Sequence, residues 1–421
     1  MTTATGTAPP SDLPHAPRAL RPEEWDGWYD NLLRAFGGLE EPVEERQLWR
    51  DLTEFDRSIG VWDGGACVAT SGAFSFGVTA PGGATVAAAG ITMVGVAATH
   101  RRRGVLRSMM RRLLDDSHAR QEPLSVLTAS EPEIYGRFGY GIATRQLAAE
   151  IDLGRVRLSA PTGTDDVRVR YADPRAALDT CEALYARLVP ARPGMLARRP
   201  GWERLMVLDT ERARDGGSAL QCVLAERDGE TVGYATFRTK AQWSPAGHDG
   251  TVTVRDLYGV DPAARAALWR FLFGIDLMSA LHVRGRPLDE DWQHQVSDLR
   301  RCRPQLREGL YARLVDVGAA LEARAYQAPV DVVLAVEDAF CPWNTGRWRL
   351  TGDSKGAVCA RTPERADLSL SVRELGSAYL GGVSLAALAA AGRVREERQG
   401  ALAEAAVAFG WPVAPWLPHG F

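Results

Sequence analysis

The chain has 421 residues, of which 45% are hydrophobic and 24% charged, and its 50 basic and 53 acidic residues give a formal net charge of -3. This length is about two to three times that of one domain, so we expect several cores, and the composition excludes a mainly disordered chain. The balanced charge excludes a general attraction to nucleic acid, and without a leader-like or membrane-spanning apolar stretch we expect a cytoplasmic protein.

The N-terminal part predicts two helices, a meander of strands, and then a helix between two strands. Residues 1–17 show no periodic pattern and are expected to form a flexible tail. Apolar residues then recur at helical or at strand spacing, which predicts helices over 21–36, 42–55 and 105–114 and strands over 58–62, 66–78, 85–96 and 124–129. Glycine-rich turns join the first three strands, so we expect them to pair antiparallel.

A second stretch partly repeats this order. Its pattern predicts strands over 219–226, 231–239 and 251–260 and a helix over 262–275. Gly259-Val260 precedes the second helix as Gly95-Val96 precedes the first, which indicates an internal duplication. The second copy has Asp261-Pro262 where the first copy has arginines, so we expect it to be degenerate and structural.

The last part alternates short strands with alanine-rich helices, which indicates a separate α+β domain. This part starts near Leu310, with strands predicted over 330–336, 347–351, 357–361 and 368–372 and helices over 374–380, 384–391 and 399–409. The final segment, from Trp411 to Phe421, holds two tryptophans, a leucine and a terminal phenylalanine. Leaving such side chains exposed forgoes about 1.5 to 3 kcal/mol each, so we expect this terminus to be packed.

Two further patterns favour ordinary structure over chemistry. Residues 352–356, Gly-Asp-Ser-Lys-Gly, fit the Gly-x-Ser-x-Gly pattern of serine hydrolases, but they lie between two short strands with no helix after them. We therefore expect a hairpin turn there. The six cysteines and seven histidines have no ligand spacing, so we expect buried free thiols and no metal.

The strongest candidate for a binding site is the loop Arg101-Arg102-Arg103-Gly104, which joins a strand to a helix. Free amides of the first helical turn, the positive end of the helix dipole, a glycine and guanidinium groups together suit a diphosphate. A solvated basic loop is the alternative. The preceding strand offers an edge for the amides of a pantetheine arm, with Gly95 as the expected position of a bulge, which favours coenzyme A.

This order of elements resembles the GNAT acetyltransferases, whose motif is Gln/Arg-x-x-Gly-x-Gly/Ala. Arg101 and Gly104 match its first two positions, whereas Leu106 replaces the small third residue. With Ser130-Glu131 and the Ile-Tyr-Gly-Arg-Phe-Gly-Tyr segment over 134–140, nearly the whole chain resembles the Eis, or "enhanced intracellular survival", family. That resemblance implies an α/β (α+β) protein of tandem GNAT folds, the second degenerate, followed by a sterol-carrier-protein-like α+β domain. We place these domains at 18–155, 156–308 and 309–421, and the resemblance implies a homohexamer built from trimers.

The resemblance also implies roles for particular residues. Tyr135 would be the general acid and the carboxylate of Phe421 the base, while acetyl-coenzyme A would be bound by Val94, Gly95, Val96, Arg102, Arg103, Gly104, Val105, Leu106, Arg107, Ser130 and Glu131. From the residues alone, Tyr135 could instead be a core tyrosine, Phe421 an inert terminus and Ser130 an ordinary helix cap. A phenol is protonated at neutral pH and can donate to a thiolate, and burial would raise the pKa of a terminal carboxylate toward that of a useful base.

The function that follows is acetyl-coenzyme A-dependent N-acetylation of primary amines on small polyamine-like substrates such as aminoglycosides. The residues before Phe421 are His419-Gly420, which carry no carboxylate side chain for a polycation. The alternative is a non-catalytic protein that binds a lipid, a sterol or acyl-coenzyme A through the C-terminal domain. The expected partners are therefore acetyl-coenzyme A and a small amine, with no nucleic acid and no membrane span.

Overall fold

The computed structural model describes residues 16–38, 41–245 and 247–421, so most of the tail expected at 1–17 lies outside the described residues. The α-helices are α1 Trp25–Ala35, α2 Val43–Leu52, α3 Val105–Ala119, α4 Pro132–Tyr135, α5 Leu178–Leu188, α6 Glu203–Val207, α7 Glu211–Arg214, α8 Pro262–Phe273, α9 Val317–Glu322, α10 Val372–Ala378, α11 Leu385–Ala390 and α12 Ala401–Phe409. The strands are β1 Arg18–Ala19, β2 Ile59–Asp63, β3 Ala66–Thr79, β4 Thr85–Val96, β5 Leu124–Thr128, β6 Gly141–Ile142, β7 Arg145–Asp152, β8 Arg168–Ala172, β9 Leu196–Ala197, β10 Gln221–Arg227, β11 Glu230–Lys240, β12 Trp243–Ser244, β13 Gly247–His248, β14 Gly250–Gly259, β15 Met278–Arg286, β16 Gln305–Glu308, β17 Leu310–Leu314, β18 Val330–Glu337, β19 Gly346–Asp353, β20 Gly356–Arg361, β21 Leu368–Ser371 and β22 Val394–Glu396.

The first sheet contains the predicted meander and has the order β1-β2-β3-β4-β5-β17-β6. Strands β2, β3 and β4 pair antiparallel, whereas β4 and β5 are parallel because α3 crosses between them. The apolar side of α3 packs on one face of the sheet through Met109, Met110 and Leu114. The opposite face is covered near its edge by α1 and α2, and Phe74 and Phe76 of β3 are buried on it.

The bulge in β4 was predicted at Gly95 but lies two residues earlier. Thr70 of β3 pairs with Gly95 of β4, and Gly72 pairs with Thr92. The register of the two strands therefore shifts between these two pairs. Met93 has a φ of 52°, in the left-handed region, while the φ of Gly95 is not positive. The close approach that requires glycine at position 95 is instead made by the Ala35 side chain, which would be 3.0 Å from an added Cβ.

The second sheet repeats the plan in the order β16-β7-β15-β14-β11-β10-β8, with α8 between the parallel strands β14 and β15. Its core gathers the apolar side chains of α8, including Leu268, Trp269 and Leu272. Two strands are exchanged between the halves of the chain: β7 follows the first sheet's segment but pairs in the second sheet, and β17 pairs with β5 and β6 in the first. The boundaries 155 and 308 stay a prediction, and hydrogen-bonded sheets extend across them.

The last part holds a sheet of order β20-β19-β18-β21-β22 packed against α9 to α12. The hairpin expected at 352–356 is present, since Asp353 pairs with Gly356 where β19 turns into β20. The final segment is packed as predicted: Trp416 and Leu417 are buried, and Phe421 contacts the largest core cluster. Of the six cysteines, Cys67 is half-buried and the others are buried, and all are free thiols.

Within the described ranges, no helix combines the length and apolarity needed to cross a bilayer. No group of three or more His, Cys, Asp or Glu side chains is placed to hold a metal ion in the same ranges.

Candidate active site

A cleft opens where β4 and β5 separate. The two strands pair only from Ala88 to Gly90 on β4 and from Leu124 to Val126 on β5, and beyond these residues they diverge. The resulting cleft has a volume of about 700 Å³. It is lined by Ala35, Phe36, Val94, Gly95, Val96, His100, Arg101, Arg102, Gly104, Val105, Leu106, Arg107, Ser130, Glu131, Ile134, Tyr135, Arg137 and Phe138. The structure therefore brings together all the predicted site residues except Arg103 and Phe421.

One wall of the cleft is the start of α3, and its backbone conformation depends on Gly104. This residue caps the helix with a φ of 81°, and Arg102 before it has a φ of 62°. The amides of the first turn of an α-helix have no partner within the helix, and the helix dipole adds partial positive charge there. The α3 N-terminus is thus a site that favours an anion.

The arginines of this wall are available for a ligand. Within the described residues, the guanidinium groups of Arg102 and Arg103 form no hydrogen bond or ion pair, and Arg101 makes only a long contact of 3.5 Å to the Val96 carbonyl. Arg107 lies with its guanidinium 5.4 Å from the ring centroid of Phe340 in the last part of the chain. Arg103 is exposed on the same turn and does not line the cleft.

The opposite wall offers the edge of β4. Val94 and Val96 are half-buried, and the residues from Met93 onward have no partner strand on the β5 side because β5 has turned away. Backbone groups left unpaired at a strand edge can bond the amides of an extended ligand. This edge and the α3 N-terminus fit the amide and diphosphate parts of coenzyme A, respectively.

Tyr135 closes the inner end of the cleft. It ends α4 and is only 6% exposed, with its ring 6.2 Å from that of Tyr140. Its hydroxyl has no hydrogen-bond partner among the described residues. Desolvation, and secondly the nearby Glu131 carboxylate, raise the pKa of Tyr135 to about 12. Tyr135 is thus a protonated phenol with an unused donor.

Ser130 and Glu131 lie where β5 runs into α4. The cap position of α4 is Glu131, and neither residue forms a side-chain cap bond. The alternative role of Ser130 as a helix cap is therefore wrong, because the helix begins one residue later than that role requires. Ser130 lines the cleft instead.

Phe421 approaches the point where the strands separate from the other face of the sheet. Its ring centroid is 4.9 Å from that of Phe76, and its Cε2 would be 3.1 Å from a Cβ added at Gly90. Gly90 is the last residue of β4 that pairs with β5. Glycine at this position therefore leaves room for the C-terminal residue beside the split.

The corresponding gap in the second sheet is filled by the protein itself. Arg286 of β15 donates to the Leu257 carbonyl of β14 at 2.8 Å and pairs with Glu290 at 2.6 Å. The indole of Trp416 donates to the Gly285 carbonyl at 2.6 Å, with the Arg286 guanidinium 4.9 Å from its ring centroid. A hollow of about 200 Å³ remains, and the cap of α8 is the acidic residue Asp261, whereas α3 is capped by Gly104.

Sequence reasoning missed several residues around the two ends of the site. Phe36 and Arg137 line the cleft, and Trp202 packs against His419 and against Phe76, the residue that contacts Phe421. Trp202 lies far along the chain from both the arginine-rich loop and the C-terminus, so nothing in its local sequence could have identified it.

Comparisons with known proteins agree with this geometry. Residues 16–143 and 194–314 each match an acetyltransferase (GNAT) domain family, and residues 317–418 match the sterol carrier protein domain family. The fold and the cleft thus define an N-acetyltransferase with two GNAT domains followed by a sterol carrier protein domain.

Similar proteins identify the family within this class of N-acetyltransferases. An uncharacterized N-acetyltransferase of Streptomyces avermitilis is 70% identical over 96% of this chain and 99% of its own. N-acetyltransferase Eis of Mycobacterium tuberculosis is 33% identical over 89% of this chain and 91% of its own. The crystal structure of Eis1 from Mycobacterium abscessus superposes with a TM-score of 0.81 at 30% identity, over 97% of this chain and 100% of that one. The chain belongs to the Eis family of N-acetyltransferases.

Proposed function

We propose that this protein transfers the acetyl group of acetyl-coenzyme A to a primary amine in a direct reaction at the β4–β5 split. Tyr135 would act as the general acid and the Phe421 carboxylate as the base. The observation that supports this assignment best is the protonated, unpartnered Tyr135 hydroxyl at the inner end of a cleft that begins at an arginine-rich helix N-terminus.

The cofactor would lie along this cleft. Val94, Gly95 and Val96 would bond the pantetheine amides, and Arg102, Gly104, Val105, Leu106 and Arg107 would hold the phosphates, with Arg103 reaching them from the exposed side of the turn. Ser130 and Glu131 would lie near the acetyl group. Acetyl-coenzyme A supplies the activated acyl group.

The chain's own groups would then move two protons. The amine nitrogen forms a bond to the thioester carbonyl carbon, the carbon–sulfur bond breaks, and the departing sulfur takes the Tyr135 proton. The carboxylate of Phe421, whose ring lies beside Gly90 on the other face, would take the proton that the amine loses. Tyr135 would thus donate a proton on one side of the split, and the Phe421 carboxylate would accept a proton on the other.

The family resemblance supports polyamine-like acceptors such as aminoglycosides and a homohexameric assembly, and we include both in the proposal. The neutral sequence His419-Gly420 supplies no side-chain anion near the terminal carboxylate, so a broader amine panel is the appropriate assay.

The proposal is tested by calorimetry with coenzyme A and by transfer of radiolabelled acetyl groups to aminoglycosides, simpler polyamines and monoamines. We expect binding, transfer to at least one amine, and loss of most turnover in a chain that ends at Gly420. Phe421→Leu is the matched control, because it keeps a carboxylate at the same position and should retain far more activity than the shortened chain. Absence of binding heat together with retention of lipid would instead favour the non-catalytic carrier.

A further inference from the structure

We infer that Trp202, carried by the second acetyltransferase half, and His419 are positioning residues that fix the terminal carboxylate of Phe421 at the split in the first sheet. The inference rests on the proposed function, since it assumes that this carboxylate is the base. It also gives the degenerate half of the molecule a part in the reaction.

The first step is a continuous set of ring contacts. Trp202 is 2% exposed and packs edge-on against Phe74 and Phe76 of β3, with ring centroids 4.9 and 5.0 Å apart. Phe76 in turn packs against Phe421 at 4.9 Å. The imidazole of His419 stacks on Trp202, with centroids 6.0 Å apart and planes 29° apart. In the C-terminal tripeptide, His419-Gly420-Phe421, the ring of Phe421 is therefore packed against Phe76. The ring of His419 is packed against Trp202.

The second step is the way Trp202 is itself fixed. Two ion pairs flank it and join the halves: Arg199 to Glu54 at 3.2 Å and Arg204 to Asp51 at 2.9 Å. Glu54 also accepts hydrogen bonds from the amide and hydroxyl of Ser75, at 2.7 and 2.6 Å. Ser75 lies between the two phenylalanines of β3 that Trp202 touches. These contacts thus fix the position of the Trp202 indole relative to β3, the strand that carries Phe76.

The third step is the charge beside the carboxylate. Burial, and secondly the positive charge of Arg198, lower the pKa of His419 to about 3, so its ring is neutral at physiological pH. Its Nδ1 donates to the Gly420 carbonyl at 3.1 Å if that nitrogen carries the proton. Because a positive charge would lower the pKa of a neighbouring carboxylate, a neutral ring can hold the terminus without weakening a base.

The segment is also held farther from its end. Asp289 accepts hydrogen bonds from Arg192 at 2.6 Å and from the amide of Ala414 at 3.0 Å, and Arg192 donates to the Ala414 carbonyl at 2.6 Å. The backbone is thus anchored at Ala414, and the rings of His419 and Phe421 are packed at the end of the chain. Together these contacts restrict the movement of the Phe421 carboxylate. A misplacement of about 1 Å at a reacting group can cost roughly 100-fold in rate.

The test compares two matched pairs of variants in the full-length enzyme, using coenzyme A itself as the binding probe. Trp202→Ala and His419→Ala should lower kcat about 10- to 100-fold, leave the affinity for coenzyme A unchanged, and remove the acid limb of the kcat–pH profile that the terminal carboxylate produces. Trp202→Phe and His419→Phe keep a ring at each position and should recover most of the activity. Trp243→Ala is the control, because this tryptophan is 68% exposed and lies in β12, which pairs with β13 outside the three larger sheets, and the kcat of this variant should match the wild type.

The outcomes separate the two proposals. If the chain ending at Gly420 keeps full activity, the carboxylate is not the base and both proposals fail. If that chain is inactive but Trp202→Ala and His419→Ala keep the wild-type kcat and pH profile, only the positioning role fails. If His419→Phe is as slow as His419→Ala, stacking on Trp202 does not position the terminus, and that part of the proposal is wrong. Should Trp202→Ala not fold, the Trp202→Phe and His419 variants decide.

Discussion

Tyr135 lies in an environment that keeps its proton in place. Its ring is enclosed by the cleft wall and by Tyr140, and no carboxylate or carbonyl accepts its hydroxyl proton among the described residues. The Tyr135 hydroxyl opens into the cleft, where water can bond it when no ligand is bound. In the proposed reaction the departing sulfur would take the place of that water and accept the phenol proton.

Tyr135→Phe removes the hydroxyl and leaves the ring. We expect kcat to fall about 100-fold, since general acids typically contribute roughly 100- to 10,000-fold, while the dissociation constant of coenzyme A stays the same. Steady-state kinetics and calorimetry measure the two quantities. Tyr171→Phe, at a tyrosine 60% exposed, is the matched control and should behave as the wild type. Wild-type turnover in Tyr135→Phe would remove this residue from the mechanism.

The raised pKa of Tyr135 also predicts a pH dependence. An acid acts in its protonated form, and a pKa of about 12 keeps the phenol protonated to higher pH than an ordinary tyrosine at about 10. We therefore expect kcat to show no alkaline decline below about pH 10. The kcat–pH profile at saturating substrates checks this, and a decline centred near pH 8 would contradict it.

At the scale of elements, the anion site depends on how β4 enters α3. The turn needs two residues in the left-handed region, Arg102 and Gly104, and glycine adopts that conformation at little cost. Its backbone then presents the first-turn amides to the cleft. The motif is readable in the sequence because the conformational requirement is local.

Gly104→Ala should weaken coenzyme A binding. A side chain at a φ of 81° costs about 1 to 2 kcal/mol, and relieving that strain would turn the first-turn amides away from the cleft. Calorimetry should show a dissociation constant at least about fivefold higher than in the wild type. Gly400→Ala is matched to it, because Gly400 caps α12 with a φ of 89° in open space far from the cleft. Equal affinities for coenzyme A in both variants would contradict the role of this turn.

The elements themselves were largely predictable, and the bulge shows where prediction failed. Strand and helix periods identified the meander, α3 and the second copy, because side-chain spacing follows from the geometry of each element. The bulge was assigned to Gly95 on residue type, whereas Met93 adopts the unusual backbone. Its position is decided by how β4 pairs with β3 and packs against α1, which no local pattern contains.

At the scale of the whole molecule, strand exchange and a buried ion pair join the three parts. Arg313 of β17 is fully buried and pairs with Asp338 at 2.6 Å, while it also donates to the Phe138 carbonyl just after Tyr135. Asp338 lies in the sterol carrier protein domain and also accepts hydrogen bonds from the amides of Phe340 and Cys341. The third domain is thus fastened to the segment that carries the proposed acid.

Removing one partner of this pair should be costly. Asp338→Ala leaves the Arg313 charge buried without compensation, and such changes typically lower the free energy of unfolding by about 3 to 5 kcal/mol. Urea denaturation followed by tryptophan fluorescence measures the loss. Asp331→Ala is the control, because its pair with Arg349 is exposed and should contribute less than about 1 kcal/mol. Similar losses in the two variants would contradict the structural importance of the Arg313–Asp338 pair.

The sequence by itself predicted the order of elements in each part, the arginine-rich loop before α3 and the packing of the terminal aromatic residues, while the resemblance to the Eis family supplied Tyr135 as the candidate acid. These features depend on residue type and short-range spacing, and apolar side chains must be buried wherever they lie along the chain. The tertiary structure alone decided that β17 completes the first sheet, that Trp416 and Arg286 fill the second split, and that Trp202 meets the C-terminal tripeptide. Those contacts join residues far apart in the chain, and they depend on shape and charge that only the folded chain brings together.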